Sequence, residues 1–370
     1  MREHDRKQGS AESVQPSLQG ILLLWFVGCV LFVTVVSLFR NYFAVVDGFG
    51  DNYEYVAIAS AIRHWSFDNL EVKHGWGLPY VMAVVSLLTG TSDRATLLLV
   101  SVTASFASII LANRLWGGWI AGFFAVLNFD WWQRSLLGGA EPLFLCLLFG
   151  TFLAARRRTW LLAALLASLG TLVRPMGLFA LVAIGLALLW RREFRTFLLT
   201  TLIGLTIGGL YVLPLAVHFG DPLANVSSYR HADWEQGFLL GWPFQAIIQA
   251  TLHDRVPWTN LILTYGWIVF VLFSAIVMSA SSRFHQFGRH YPVEALFTTI
   301  YLVFLFTYNS FWARAIFPRL ALPVLPLALV AIGPWIPKNR RLLRIIGIAS
   351  PILAAVSAIG IRNVTHLIDR

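Results

Sequence analysis

Apolar residues in this chain come in long runs, with polar residues confined to short gaps between them. The runs fall at 20–39, 95–113, 116–130, 141–155, 159–173, 175–190, 196–217, 260–279, 293–309, 317–335 and 342–361. A helix crosses a bilayer with about 20 apolar residues, within a range of about 17–25. The pattern therefore predicts an all-α membrane protein with about eleven transmembrane helices, several of them short. One further segment, 76–89, is apolar but short, and it opens on Gly77 and Pro79.

Charge decides how that segment is read. If 76–89 does not cross, Arg2, Arg6, Lys7, Arg114, Arg156–Arg158, Arg191, Arg192, Arg195, Arg283, Arg289, Lys338, Arg340, Arg341 and Arg344 share one face. Those are more than half of the 28 Lys and Arg. Basic residues in short loops mark the cytoplasmic side. The expected topology puts the N-terminus inside and 40–94 outside, as a long first outer loop carrying juxtamembrane helices. Segments 131–141, 174–175, 218–259 and 310–316 then also lie outside.

Composition agrees with this class. Of 370 residues, 58% are hydrophobic and 12% charged, against about 25% charged in soluble domains. The net charge of +10 follows from the topological clusters, so no nucleic-acid partner is expected. Cys29 and Cys146 both lie inside apolar runs, which argues against a disulfide or metal site. The first run is too long for a signal-peptide core and reads as a retained helix. Residues 1–18 read as a disordered cytoplasmic tail, and 19–370 as one polytopic domain. No internal repeat is visible, which argues mildly against an inverted-repeat transporter.

The unusual polar residues gather on the outer face. A carboxylate beside lipid is costly, so each is a functional candidate. Asp51, in Gly-Asp51-Asn-Tyr-Glu54-Tyr, reads either as a general base or as turn chemistry. Glu54 either shares a helical face with Asp51 or caps the helix it begins. Glu141, in Gly-Gly-Ala-Glu141-Pro-Leu-Phe, reads as helix-dipole stabilisation or as a second cavity acid. Arg174, in Leu-Val-Arg174-Pro-Met-Gly, snorkels at an interface or holds a lipid phosphate. Arg314 and Arg319 repeat that logic where a cation opposes the helix dipole and calls for a partner. In the loop 218–259, Tyr229, Arg230, Asp233 and Trp234 form a mixed strip suited to sugar or headgroups, or to a solvated interfacial helix. His74 stands at the start of 76–89. The histidines have no ligand spacing, so no metal is assigned. There is no phosphate-cradling loop, dinucleotide fingerprint or nucleophile elbow. An activated donor would therefore arrive through the bilayer.

The order of these motifs resembles the GT-C superfamily of polytopic glycosyltransferases, which use polyprenyl-phosphate sugars. The motifs are an outer Asp near Tyr, Gly-Gly-Ala-Glu141-Pro-Leu-Phe, Leu-Val-Arg174-Pro-Met-Gly, Phe-Gly-Asp221-Pro-Leu-Ala with Trp234 beyond, and Pro318-Arg319-Leu-Ala-Leu-Pro-Val-Leu-Pro. Within the superfamily the chain looks most like bacterial relatives of the glycosylphosphatidylinositol mannosyltransferases. The resemblance covers roughly 20–335. It implies a GT-C-like bundle, a catalytic Asp at Asp51, a second acid at Glu141, and motif arginines at Arg174 and Arg319. Two departures stand out. His74-Gly-Trp-Gly-Leu-Pro79-Tyr replaces the family's Phe-Pro-x-x-Pro segment, and there is no large soluble outer domain.

The function so implied is inverting transfer of a hexose, with mannose a candidate, from a polyprenyl-phosphate donor to a lipid or glycan hydroxyl. Asp51 and Glu141 would be catalytic. Arg174, Arg314 and Arg319 would bind the donor phosphate. Glu54, His74, Tyr229, Arg230, Asp233 and Trp234 would bind substrate. No cofactor is required, and a divalent metal is compatible with the chemistry. The alternatives are a flippase for lipid-linked sugar and a non-catalytic subunit of an envelope-glycan assembly complex.

Overall fold

A computed structural model of the chain describes residues 15–67, 74–224, 227, 240–252, 258–280, 282–308 and 317–361. Among them every regular element is a helix. The first eleven are α1 (Leu18–Phe39), α2 (Tyr42–Gly48), α3 (Asn52–His64), α4 (Gly77–Thr89), α5 (Asp93–Trp116), α6 (Gly118–Val126), α7 (Phe129–Leu136), α8 (Ala140–Arg156), α9 (Trp160–Val173), α10 (Gly177–Trp190) and α11 (Phe194–Phe219). The remaining α-helices are α12 (Gln245–Leu252), α13 (Trp258–Ala280), α14 (Ser282–His290), α15 (Pro292–Thr307), α16 (Phe317–Leu320), α17 (Leu325–Ile332) and α18 (Arg340–Ile359), with a 3-10 turn at Gly333–Trp335.

By length and composition, four of the described helices can cross a membrane: α1, α5, α11 and α18. The count rises to five if α7 and α8, bent by 105° at their junction, form one broken span. This is compatible with a multi-pass membrane protein. The apolar runs at 159–173, 175–190 and 293–309 also form helices, of 14, 14 and 16 residues. The run 116–130 does not make one continuous helix. Gly117 breaks the chain at φ 89°, and α6 ends after nine residues. Segment 76–89 is helical for 13 residues, below the length of a crossing. The expected tail 1–18 ends in a helix start, because Leu18 opens α1 and the Ser17 hydroxyl accepts from Gly20 N–H at 3.1 Å. Residues 1–14 lie outside the described residues.

The surface is inverted relative to a soluble protein. Along α11, Leu198, Leu202, Leu205, Leu213 and Val217 are all exposed, as expected where the neighbour is lipid. Inside, α6 is buried on nearly every side. Trp25 of α1 stacks on Trp132 of α7 with ring centroids 3.9 Å apart. A Cβ on Gly28 would lie 2.3 Å from the Trp132 ring, so glycine is what admits the indole there. This contact seats α7 against the middle of α1, and α7 carries part of the site.

Two charged clusters sit at opposite ends of α8. At its C-terminal end Arg156 grips Glu294 of α15, with Nε–Oε1 at 2.6 Å and Nη2–Oε2 at 2.9 Å. The same guanidinium donates to the Leu115 carbonyl at 2.5 Å and lies 3.9 Å from the Tyr291 ring centroid. At its N-terminal end stands Glu141. Fifteen residues at 1.5 Å each put the two clusters about 22 Å apart along the helix.

Candidate functional site

The site forms where the start of α3, the α7–α8 corner, the end of α9 and α16 meet. Glu141 is its centre. One of its carboxylate oxygens, Oε1, accepts from both Arg174 and the Arg319 Nε–H. The other, Oε2, lies 4.0 Å from Arg134 Nε. Three guanidinium groups therefore converge on one carboxylate that is almost wholly buried. Glu141 also stands in the first turn of α8, so the helix dipole favours it as well.

Asp51 joins through Arg319, whose Nη2 lies 3.5 Å from Asp51 Oδ2. Asp51 occupies the N-cap position of α3, yet its side chain makes no capping bond. A turn or capping Asp would bond its own backbone. This one turns its carboxylate into the cluster instead. Burial pushes the Asp51 carboxyl up, but Arg319, His74 and Arg134 outweigh that, and it sits below its ordinary value. Beneath it, the Tyr55 phenol is pushed up by burial and by the charge of Asp51.

Glu54 does not cap the helix with its side chain. Its Oε1 accepts from Tyr53 O–H at 2.8 Å, and its Oε2 lies 2.7 Å from His74 Nε2. The same His74 nitrogen is 3.6 Å from Asp51 Oδ1. Six of the residues named from sequence, Asp51, Glu54, His74, Glu141, Arg174 and Arg319, thus gather in one network. Tyr229, Arg230, Asp233, Trp234 and Arg314 lie outside the described residues.

The backbone is pinned so that these groups stay in place. Asn52 Nδ2 donates to the carbonyls of Val46 and Leu137, at 2.7 and 2.8 Å. That ties the Asp51 turn to the α7–α8 corner. Arg319 is fixed from both sides: Asn128 Nδ2 donates to Pro318 O at 2.9 Å, and Tyr301 O–H donates to Leu320 O at 2.7 Å. Gly50, at φ 56°, presses on Arg134, and a Cβ there would lie 2.7 Å from Arg134 Nη1.

Arg134 is the member that sequence reasoning passed over. It is fully buried, lies 4.5 Å from the Phe49 ring centroid, and leaves Nε and Nη1 without hydrogen-bond partners. Its spacing from Asp130, one helical turn away, was the available signal. Phe144, Arg174, Tyr301 and Leu320 help line a cavity of about 10 Å³ beside Glu141, room for about one water. A larger cavity of about 390 Å³ lies at the other end of α8, among Trp116, Arg156, Tyr291 and Lys338, and contains none of these residues. Among the described residues no three of His, Cys, Asp and Glu are spaced to hold a metal ion.

Comparison with protein-family models, curated proteins and solved structures finds no match to this chain.

Proposed function

We propose that the protein is an inverting glycosyltransferase, moving a hexose from a polyprenyl-phosphate donor to a lipid or glycan hydroxyl at the outer membrane face. The observation that carries this reading is a division of labour among carboxylates. The Asp51 side chain is 26% exposed, whereas those of Glu54 and Glu141 are 3% exposed. Asp51 alone of the three can meet a substrate without rearrangement. It is also held ionised beside a guanidinium, as a general base requires.

In the proposed step, Asp51 takes the proton of the acceptor hydroxyl. The oxygen attacks the anomeric carbon from the side opposite the phosphate. The carbon–oxygen bond to phosphate breaks, and polyprenyl phosphate leaves with the electron pair. Arg319 and Arg174 stabilise the charge that develops on the leaving group. Glu141 keeps both guanidinium groups aimed and neutralised until the phosphate arrives. The same reading takes the apolar helices as the membrane-embedded part of a GT-C-like bundle, N-terminus inside. Its support is the separation of the acid–arginine cluster from the basic loops along α8.

The test is to supply the purified protein in proteoliposomes with radiolabelled polyprenyl-phosphate hexose and a membrane-lipid acceptor. The reading expects free polyprenyl phosphate and label in a new glycolipid. Label that changes leaflet with its donor chemically intact would establish the flippase alternative instead.

A further inference from the structure

The stretch His74-Gly75-Trp76-Gly77 lies directly on the backbone that leads into Arg174. A Cβ on Gly75 would lie 2.6 Å from Leu172 O and 2.7 Å from Val173 O. One on Gly77 would lie 2.5 Å from Val173 N. Backbone atoms cannot swing aside as a side chain can, so both positions require glycine. Between them Trp76 is fully buried and stacks on Phe67, with centroids 5.8 Å apart and planes 3° from parallel. One backbone contact therefore sets His74 against the start of α3 and Arg174 against Glu141.

We infer that His74 is a positioning residue: its Nε2 edge, set between Glu54 and Asp51, holds the Asp51 carboxylate in its orientation. The inference rests on the base role proposed for Asp51. Two carboxylates, Glu54 at 2.7 Å and Asp51 at 3.6 Å, face one ring nitrogen. A lone pair there would be repelled by both, so the partners assign a hydrogen to Nε2. Glu54 and Asp51 are three residues apart on one helical face, so the helix presents both to the ring. Asp51 then has His74 3.6 Å from Oδ1 and Arg319 3.5 Å from Oδ2, so each oxygen faces a nitrogen. The other groups acting on this carboxylate are Arg134 from α7 and Glu141 from α8. Tyr55 from α3 lies under His74, with centroids 5.6 Å apart. None of these replaces the ring at Oδ1.

The test uses the full chain in nanodiscs with two readouts. In the transfer assay, His74→Ala lowers kcat by about 10–100-fold, as misplacement of a reacting group does, with little change in donor KM. The acid limb of its pH–rate profile moves up by about 0.5–1 pH unit, because a stabiliser of the carboxylate is gone. His74→Gln, which keeps a donor near the same point, recovers most of the rate and the limb. The second readout needs no turnover. Carbodiimide labelling of protonated Asp51, read by peptide mass spectrometry at pH 5–6, rises several-fold in His74→Ala and less in His74→Gln. Equal labelling in all three proteins, or a rate loss with an unmoved acid limb, overturns the inference. A wild type that transfers no sugar but shows the labelling shift removes the transferase reading and leaves the His74–Asp51 coupling standing. Should His74→Ala fail to fold, Glu54→Gln serves in its place, and an unchanged labelling rate there also overturns the inference.

Discussion

Glu141→Gln is the substitution with the largest consequence for the fold of the site. It keeps the side-chain volume and one acceptor oxygen, and removes the charge that Arg174 and Arg319 share. Removing one partner of a buried ion pair costs about 3–5 kcal/mol, because the other charge stays buried without compensation. Here one carboxylate serves two guanidinium groups directly and a third at 4.0 Å, so the upper part of that range applies. Soluble chains of about 150–250 residues shift their melting point by about 2–4 °C per kcal/mol. A 370-residue chain shifts less, so a fall on the order of 5–10 °C is expected by the same scaling. Fluorescence-monitored melting in detergent measures it. The control is Asp47→Asn, which breaks the half-exposed Arg94–Asp47 pair; exposed pairs contribute about 0–1 kcal/mol. Adding Arg174→Met to Glu141→Gln should restore part of the loss, since it replaces a stranded cation with an apolar chain. If Glu141→Gln melts no lower than Asp47→Asn, the carboxylate is not the counter-ion of the cluster and the reasoning fails.

Gly75→Ala and Gly77→Ala should each destabilise by about 1–3 kcal/mol, as overpacking does, and reduce transfer. Wild-type melting and rate in either variant would show that the backbones do not touch. Arg156→Met, at the other end of α8, should lower the melting point by a similar amount to Glu141→Gln while leaving the rate per folded molecule near wild type. Activity lost in proportion to neither folding nor melting would link that end to the chemistry. The lowered value of Asp51 makes its stabilising contribution complete above the unfolded carboxyl value of about 3.9. The contribution is lost as pH falls through the lower folded value. The acid limb of transfer should therefore lie below about pH 4, and a limb near pH 6–7 would assign the base elsewhere.

Much of the site was legible because lipid makes isolated charge expensive. Asp51, Glu141, Arg174 and Arg319 stood out as charges at the ends of apolar runs, and such charges need one another. Arg134 did not stand out. It sits in a short helix between two tryptophans and a Gly-Gly corner, where a basic residue looks like an ordinary boundary. Only the Trp25–Trp132 stack, which turns α7 inward, makes it part of the network. The 105° bend between α7 and α8 was hidden for the same reason. Gly138 takes φ 101° with Leu97 and Asn52 packed where a Cβ would go, and those neighbours are distant in sequence. Glu54 was legible as a partner of Asp51 on one face, but its real contact, His74, lies across a segment whose fold depends on α9. The Arg156–Glu294 tie was masked because Arg156 opens a basic loop cluster and reads as topology alone.

The most direct test compares wild type with Asp51→Asn in transfer of labelled hexose from polyprenyl phosphate to a lipid acceptor, after matching their melting points. General-base contributions are typically about 10²–10⁴-fold. The account expects a loss of that size at neutral pH, with donor binding retained through Arg174 and Arg319. Full transfer by a folded Asp51→Asn protein would contradict it.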